Sequence, residues 1–173
     1  LDKIGSGGMG TVFKVEEILS GSVVALKILT VAAARDDEKR ALFEREARTT
    51  GKLRHPNVVS IHDVCFSDEV SYIEMEFVEG LDVLTLLRRD GPMKEKKAAI
   101  IAAQVSGVLV AASRKGIVHR DIKPANLIVE KGGKVKLCDF GLAKDLEDAG
   151  LNFLTKRGVA RGTLDYMAPE QFT

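Results

Sequence analysis

The sequence has few cysteines, no tryptophan and no internal repeat. Its two cysteines, Cys65 and Cys138, lie far apart and form no Cys-x-x-Cys pair. Two such residues neither build a disulfide framework nor suggest a zinc site, so we expect buried thiols and a reducing, cytoplasmic location. A membrane anchor of the full-length protein would then lie in a segment outside this chain.

The sequence also lacks an excess of charge of one sign. Its 26 Lys and Arg residues balance 25 Asp and Glu residues to a net charge of +1. This balance gives no reason to expect nucleic acid or an anionic membrane as a partner, so any phosphate site must be local. The longest uncharged stretch, residues 98–113, is shorter than the roughly 20 apolar residues of a membrane span. We predict a buried helix there and no membrane segment.

The overall composition, with 45% hydrophobic and 29% charged residues, is typical of one soluble globular domain. Apolar and β-branched runs predict strands over residues 11–15, 23–29, 58–66 and 72–78. A helix is predicted over residues 36–53, with Asp36 or Asp37 as its N-cap. From Gly80 the pattern becomes mainly helical. We therefore predict an α+β fold, with a small antiparallel lobe at residues 1–78 and a mainly helical lobe at residues 79–173.

A glycine-rich segment, Gly5-Ser6-Gly7-Gly8-Met9-Gly10, precedes the first of these strands. Glycines let backbone N–H groups approach phosphate oxygens, because no Cβ stands in the way. A dinucleotide-binding site would need the glycines to begin a helix, and the strand-like residues after Gly10 exclude this. By itself the motif leaves two alternatives open, a phosphate-binding loop and a plain glycine-rich hairpin turn.

Two charged residues stand on predicted apolar elements. Lys27 ends the strand segment Val24-Ala25-Leu26-Lys27, where its ammonium group either meets phosphates or faces solvent. Glu46 lies on or beside the apolar face of the predicted helix, where an unpaired carboxylate would be costly. An ion pair with Lys27 would remove that cost.

The most specific segment is His119-Arg120-Asp121-Ile122-Lys123-Pro124-Ala125-Asn126, followed after twelve residues by Asp139-Phe140-Gly141 and later by Ala168-Pro169-Glu170. Together with the glycine-rich segment, Lys27 and Glu46, these motifs resemble the protein kinase family in their order. They are most similar to eukaryotic-type (Hanks-type) Ser/Thr kinases of bacteria. The resemblance implies a bilobal fold and transfer of the γ-phosphoryl group of ATP to protein serine or threonine in signalling.

The resemblance implies a role for each polar residue of these motifs. Asp121 would be the catalytic base, and Lys123 would lie beside the transferring phosphoryl group, as in Ser/Thr-specific members. Asn126 and Asp139 would hold Mg²⁺, with Mn²⁺ as an alternative. His119 would pack and hold backbone rather than transfer a proton.

ATP is the implied cosubstrate, with Lys27 on its α- and β-phosphates and Glu46 paired with Lys27. The residues expected to bind ATP are Ile4, Gly5, Ser6, Gly7, Gly8, Met9, Gly10, Val12, Ala25, Lys27, Glu46, Glu76, Val78 and Ile128. Val12, Ala25 and Ile128 would enclose the adenine, and the backbone of Glu76 and Val78 would bond its edge. Asp82 is either a ribose contact or a surface carboxylate.

Arg120 implies regulation, because kinases with an arginine before the catalytic aspartate commonly use it to bind a phosphorylated residue. The match at residues 162–170 makes Thr163 a contact of Asp121 and Lys123, which leaves Thr155 as the predicted phosphosite. An unmodified loop threonine is the alternative. Protein substrates carrying Ser or Thr, and self-association for autophosphorylation, are the implied partners.

The same residues argue against two other classes of protein. A pseudokinase scaffold would lack Lys27, Asp121, Asn126 or Asp139, and all four are intact. Small-molecule phosphotransferases of the kinase-like superfamily usually lack the Ala-Pro-Glu motif and the Lys-Pro pair, and both are present. Because the family's domain continues beyond Ala-Pro-Glu, we expect a C-terminally truncated kinase domain. We expect the isolated segment to be unstable or prone to aggregation, because apolar helix faces would be exposed.

Overall fold

The chain divides into two units in the computed structural model, which describes residues 1–7, 10–67, 69–140, 144–145 and 164–172. Unit 1 comprises Leu1–Arg54 and Val59–Glu79, and unit 2 comprises His55–Val58 and Gly80–Thr173. The segment His55–Val58 therefore lies in unit 2, although unit 1 flanks it in sequence on both sides. The assignment of the whole chain to a single kinase domain stays a prediction.

Unit 1 is built on an antiparallel sheet. Its five described strands are β1 (Asp2–Ser6), β2 (Gly10–Glu16), β3 (Val23–Leu29), β4 (Ile61–Phe66) and β5 (Ser71–Glu76), in the order β1-β2-β3-β5-β4. The predicted hairpin consists of β2 and β3, in which Val15 lies opposite Val24. Its turn contains Gly21 at φ 69°, a left-handed conformation that glycine adopts without strain.

Two helices follow β3 in unit 1. α1 (Val31–Ala34) is a single turn, and α2 (Asp37–Lys52) is the predicted long helix. Asp36 is its N-cap and accepts a hydrogen bond from the Lys39 backbone N–H at 3.1 Å. The buried face of α2 packs on the sheet because its apolar residues recur at helical spacing. The core that results contains Leu29, Ala33, Phe43, Ala47 and Ile73.

Unit 2 contains helices and short strands. The helices are α3 (Val83–Asp90) and α4 (Glu95–Ser113). β6 (Gly80–Asp82), β8 (Leu127–Glu130) and β9 (Val135–Leu137) form an antiparallel sheet in the order β6-β8-β9, while β7 (Ile117–Val118) pairs with β10 (Lys144–Asp145). Three 3₁₀ turns are described, at Pro124–Asn126, Leu164–Tyr166 and Pro169–Phe172.

The prediction that α4 is a buried helix is wrong in its extent. The buried residues of α4 form one stripe with helical spacing, namely Ile101, Val105, Val108 and Ala112. Apolar residues elsewhere on the helix are exposed, including Ile100 at 50% and Val110 at 52%, because the described part of unit 2 covers mainly this stripe. By length and composition alone α4 could cross a membrane, which is weak evidence since core helices of soluble proteins meet the same criterion.

The larger differences from the predicted boundaries are at the start of β4 and at Gly80. β4 begins at Ile61 rather than at residue 58, because Val58 forms a parallel bridge with Leu137 in unit 2. Gly80 begins a strand rather than a helix, and a Cβ at this position would lie 2.5 Å from the Val129 carbonyl oxygen. The close approach of β6 to β8 therefore requires glycine here.

The α+β fold class is confirmed, with an antiparallel sheet in unit 1 and helices in both units. The expectation of fully buried thiols is not met. Cys65 in β4 and Cys138 directly after β9 are reduced thiols, and each is half-buried.

Candidate active site

Lys27 and Glu46 form an ion pair inside unit 1. Lys27 lies on β3, opposite Val12 of β2 and Ile73 of β5, and Glu46 lies on α2. The Lys27 Nζ is 2.6 Å from each carboxylate oxygen of Glu46. Their side chains are 13% and 6% exposed, so the pair is largely removed from water. The expected pairing is confirmed, and it accounts for a carboxylate on the buried face of α2.

The glycines of the first motif differ in what surrounds them. A Cβ on Gly10 would lie 2.6 Å from the Ile28 carbonyl oxygen, so the packing of β2 on β3 requires glycine there. A Cβ on Gly7 would meet no atom of the described residues within 4 Å, so among these residues the space beside it is open. The Gly7 N–H donates to the Gly10 carbonyl at 2.9 Å. Of the other predicted members, Ile4, Gly5 and Ser6 lie in β1, and Gly8 and Met9 are outside the described residues.

Asp121 lies in the loop after β7, and its neighbours bind only one of its carboxylate oxygens. Lys123 Nζ donates to Oδ2 at 2.6 Å. Asn126 Nδ2 donates to Oδ2 at 3.2 Å and to the Asp121 backbone carbonyl at 2.9 Å. The other oxygen, Oδ1, is buried and has no hydrogen-bond partner in the described structure. Because folded proteins leave few buried acceptors unsatisfied, Oδ1 is a candidate acceptor for a proton donor on a ligand.

Asn126 and Asp139 are brought together through Cys138. The Cys138 N–H donates to the Asn126 carbonyl oxygen at 3.0 Å, and Asp139 is the next residue. The Asn126 amide nitrogen donates to two oxygens of Asp121, which leaves Oδ1 of Asn126 as its atom able to coordinate a cation. Amide and carboxylate oxygens are the ligands that Mg²⁺ prefers. The donor set therefore fits this ion.

The described residues contain no group of three His, Cys, Asp or Glu side chains that could hold a metal ion by themselves. Mg²⁺ is nevertheless commonly held by one or two protein carboxylates together with phosphate oxygens of a substrate. Asn126 and Asp139 match that pattern better than they match a metal site made entirely of protein ligands.

Arg120 and Asp139 have left-handed backbone conformations, at φ 66° and φ 64°. Such conformations cost a non-glycine residue of order 1–3 kcal/mol and persist where the surrounding structure determines them, often at functional sites. Arg120 directly precedes Asp121 in sequence, and Asp139 directly follows Cys138, whose N–H bonds the Asn126 carbonyl. Thr155 and Thr163, the other two predicted regulatory residues, lie outside the described residues.

His119 has the surroundings of a packing residue. Its ring is buried, with the centroid 4.4 Å from that of Phe140, and its Nδ1 accepts the Asp121 backbone N–H at 3.2 Å. Burial lowers the pKa of His119 below its usual range, although the carboxylates of Asp139 and Asp121 oppose this shift. A neutral imidazole at pH 7 agrees with the expected structural role.

The residues expected around the adenine are each placed within their own unit. In unit 1, Val12 is half-buried on β2, Ala25 is buried on β3, and Val78 is buried after β5. Glu76 ends β5, and its N–H donates to the Ser60 carbonyl at 2.9 Å. In unit 2, the remaining residue, Ile128, is half-buried on β8. Their roles in binding adenine stay predictions.

Asp82 has a role that neither sequence alternative named, since it is the N-cap of α3. Its Oδ1 accepts the Thr85 backbone N–H at 2.9 Å, and its Oδ2 accepts the Thr85 hydroxyl at 2.6 Å. An aspartate directly before a helix is a recognisable N-cap signal, so the sequence contained the information needed to assign it.

Two side-chain amides in unit 2 were not identified by the sequence analysis as functional. Gln104 lies on α4 and Asn57 lies in the segment His55–Val58, and the two are hydrogen-bonded at 2.8 Å. Each also bonds the backbone of Val135 at the start of β9. Gln104 is the only glutamine of α4 and interrupts the apolar part of that helix, which was the available sequence signal for it. Asn57 gave no comparable signal.

A model of the protein kinase domain matches residues 1–172 of the chain. The serine/threonine-protein kinase PknE of Mycobacterium bovis is 40% identical over 170 residues, which cover 98% of this chain and 30% of that protein. The serine/threonine-protein kinase PknH of Mycobacterium tuberculosis is 39% identical over 170 residues, which cover 98% of this chain and 27% of that protein. The chain thus spans less than one third of the length of these curated relatives.

Proposed function

The chain belongs to the protein kinase domain family, as its motifs indicated, and from that premise we propose that it transfers the γ-phosphoryl group of ATP to serine or threonine hydroxyls of proteins. PknE and PknH are named as Ser/Thr protein kinases, and both are bacterial. The chain-specific support comes from the two clusters of charged and polar residues, one in each unit.

The observation that carries the proposal is the unequal use of the Asp121 carboxylate. Oδ2 is bonded by Lys123 and Asn126, whereas Oδ1 is buried and without a partner in the described structure. A substrate hydroxyl that donates to Oδ1 would satisfy this oxygen and would be oriented for attack. Asp121 would then accept the hydroxyl proton as the bond to phosphorus forms and the bond to the leaving ADP oxygen breaks. Lys123 would lie beside the transferring group.

Asn126 and Asp139 are the proposed metal ligands, through Oδ1 of Asn126 and the carboxylate of Asp139. When bound, Mg²⁺ would neutralise negative charge on the phosphates, with Mn²⁺ as an alternative ion. The fit rests on the oxygen donors themselves and on the bond between Cys138 and Asn126, which keeps the two ligands close. Both residues belong to unit 2.

In unit 1, Lys27 would contact the α- and β-phosphates while Glu46 fixes the direction of its ammonium group. The open space beside Gly7 is compatible with a phosphate approaching the backbone closely. Val12, Ala25 and Ile128 are the residues proposed to contact the adenine. The backbone of Glu76 and Val78 would bond the adenine edge.

Phosphorylation at Thr155, bound by Arg120 and carried out between two copies of the protein, is the proposed regulation. Arg120 is a half-buried residue with a left-handed backbone conformation, and it directly precedes Asp121 in sequence. Mass spectrometry of the active full-length protein tests the site, and an active protein with unmodified Thr155 would contradict it. We also expect the protein to act in the cytosol on other proteins.

The catalytic assignment is tested by phosphate transfer from radiolabelled ATP to a protein substrate, using the full-length protein and its Asp121→Asn variant. Removing a general base typically lowers the rate by about 10²- to 10⁴-fold, and we expect a loss in this range with nucleotide binding retained. Asp90→Asn is the matched control, because Asp90 is an exposed carboxylate of the same unit that pairs with Arg89. A variant lacking the Asp121 carboxylate that transfers phosphate at the wild-type rate would overturn the proposal.

A further inference from the structure

The side-chain amide of Gln104 is bonded on both of its polar atoms. Its Oε1 accepts from Asn57 Nδ2 at 2.8 Å and from the Val135 backbone N–H at 2.9 Å. Its Nε2 donates to the Gly133 carbonyl oxygen at 3.0 Å. Gly133 lies two residues before Val135, which is the first residue of β9. One side chain of α4 therefore fixes the backbone through which the chain enters β9.

Asn57 also forms hydrogen bonds with the backbone of β9. Its Nδ2 also donates to the Val135 carbonyl at 2.7 Å, and its own carbonyl accepts the Leu137 N–H at 2.8 Å. The next residue, Val58, forms the parallel bridge with Leu137. β9 is thus bonded to β8 on one edge and to Asn57 and Val58 on the other. Val135 and Leu137 are fully buried, so water cannot replace these bonds cheaply.

β9 ends one residue before Cys138, which bonds Asn126, and two residues before Asp139. Asp139 has φ 64°, a conformation that an aspartate keeps only where the adjoining structure determines it. The strand before it supplies such a determinant, because its backbone is held at both ends and on both edges. Neither amide lies within the motifs from which the catalytic roles were inferred.

We propose that Gln104 and Asn57 are positioning residues, which hold β9 in register and thereby set Asp139 in the conformation that binds the metal ion. The inference rests on the proposed function, since it assumes that Asp139 is a metal ligand. According to this inference, Gln104 affects metal affinity from α4, through its hydrogen bonds to the backbone before and at the start of β9. Neither residue contacts the ion.

The test measures metal binding directly, by the electron paramagnetic resonance signal of free Mn²⁺ during titration of the full-length protein in the presence of ADP. Direct partners of metal ligands typically change affinity by about 10- to 100-fold when they are removed. Because Gln104 acts through a strand, we expect Gln104→Leu to weaken Mn²⁺ binding by about 5- to 10-fold. We expect faster amide exchange at Val135 and Leu137 in the same variant.

Gln104→Glu is the more conservative variant, because a carboxylate still accepts from Asn57 and Val135, but it places an oxygen instead of a donor against the Gly133 carbonyl. It should therefore restore part of the Mn²⁺ affinity that Gln104→Leu loses. Asn57→Ser removes the side-chain bonds of Asn57 but keeps its carbonyl for Leu137, and should weaken binding by several-fold. Ser106→Ala is the matched control on α4, because its hydroxyl bonds only the Ala102 carbonyl in the described structure, and it should bind Mn²⁺ like wild type.

Asp139→Asn separates the two hypotheses. If wild type binds Mn²⁺ no better than Asp139→Asn, the proposed metal site itself is wrong. If Asp139→Asn weakens binding but folded Gln104→Leu and Asn57→Ser bind like wild type, the positioning role is wrong and the proposed function survives. Loss of folding in both of these variants would also overturn the positioning role, because it would assign the two amides to the stability of unit 2.

Discussion

The two units hold their buried charges in different ways. In unit 1, Lys27 and Glu46 lie 19 residues apart and meet because a strand and a helix pack around an apolar core. In unit 2, Asp121, Lys123 and Asn126 belong to one loop and meet through local hydrogen bonds. The left-handed Arg120 directly precedes that cluster.

This difference leads to different expectations for stability and for activity in the two units. A charge pair held by regular elements is part of the core packing, so its removal should disturb the folded state. A cluster held in a loop uses conformations that are costly by themselves, which proteins keep where function requires them. We therefore expect the charges of unit 1 to matter for both stability and activity, and those of unit 2 mainly for activity.

The largest expected effect comes from replacing Lys27 and, in a separate variant, Lys123 by methionine. The two variants compare the stability that each charged cluster contributes to its unit. Lys27→Met leaves the Glu46 carboxylate buried without its ammonium partner, and breaking a buried pair in this way costs about 3–5 kcal/mol. We expect a loss of about 3 kcal/mol, measured by native-state hydrogen exchange at the amides of β3. Lys123→Met should cost unit 2 only about 1 kcal/mol, since Lys123 is more exposed and Asp121 keeps its bond from Asn126.

The control for this prediction is the double variant Lys27→Met with Glu46→Leu. Replacing a whole buried ion pair by apolar side chains of similar volume is often neutral, so most of the lost stability should return. Activity should not return, because the ammonium group is still absent. Equal stability losses in the Lys27 and Lys123 single variants would break the distinction between the two clusters.

Substitution of three glycines tests what determines the loss of stability. The loss could depend on which unit contains the residue, or on whether the residue lies in a regular strand. A Cβ would lie 2.6 Å from a carbonyl oxygen at Gly10 in unit 1, and 2.5 Å from one at Gly80 in unit 2. Overpacking of this kind typically costs about 1–3 kcal/mol. We expect Gly10→Ala and Gly80→Ala each to lose about 2 kcal/mol, measured by urea unfolding, because both positions are in strands.

Gly7→Ala is the matched control, because a Cβ at Gly7 would meet no atom of the described residues within 4 Å. It should leave the free energy of unfolding close to wild type and weaken nucleotide binding, since the methyl group would occupy the space assigned to phosphate. A large stability loss in Gly7→Ala, or none in Gly10→Ala, would contradict the division of the motif into a packing glycine and a ligand-facing glycine.

The features that could be predicted from the sequence are those with a local signal. α2 and its N-cap Asp36 follow from apolar spacing and a capping aspartate, and the β2–β3 hairpin follows from two β-rich runs around a turn. The ion pair of Lys27 and Glu46 was inferred from the cost of a carboxylate on an apolar face. The resemblance to kinase motifs supplied the expected roles of the other site residues.

The features that could not be predicted depend on contacts between distant residues. Nothing local shows that Val58 joins β9 across 79 positions of sequence, or that Gln104 bonds Gly133 and Val135. The exposure of α4 was missed for the same reason, because an apolar sequence does not reveal how much of a helix its neighbours cover. The left-handed conformation of Asp139 likewise depends on surroundings that no propensity encodes.

The smallest expected effect concerns pH and tests the role of His119 in unit 2. Burial lowers the pKa of His119 in the folded state, whereas an unfolded histidine titrates at about 6.5. As the pH falls through about 6.5, the unfolded chain takes up a proton that folded His119 still refuses. The stability contributed by neutral His119 is therefore complete above this pH and is lost below it, until the lower folded pKa is reached.

We expect wild type to lose more stability than His119→Asn when urea unfolding is compared between pH 7.5 and 5.5. One proton can account for at most about 1.4 kcal/mol per pH unit, which sets the upper limit of the difference. Asparagine removes the titration while offering an acceptor for the Asp121 N–H that His119 Nδ1 now binds. Identical pH dependence in the two proteins would mean that folded His119 takes up its proton like an unfolded histidine, and would remove the argument that a neutral imidazole supports the loop containing Asp121.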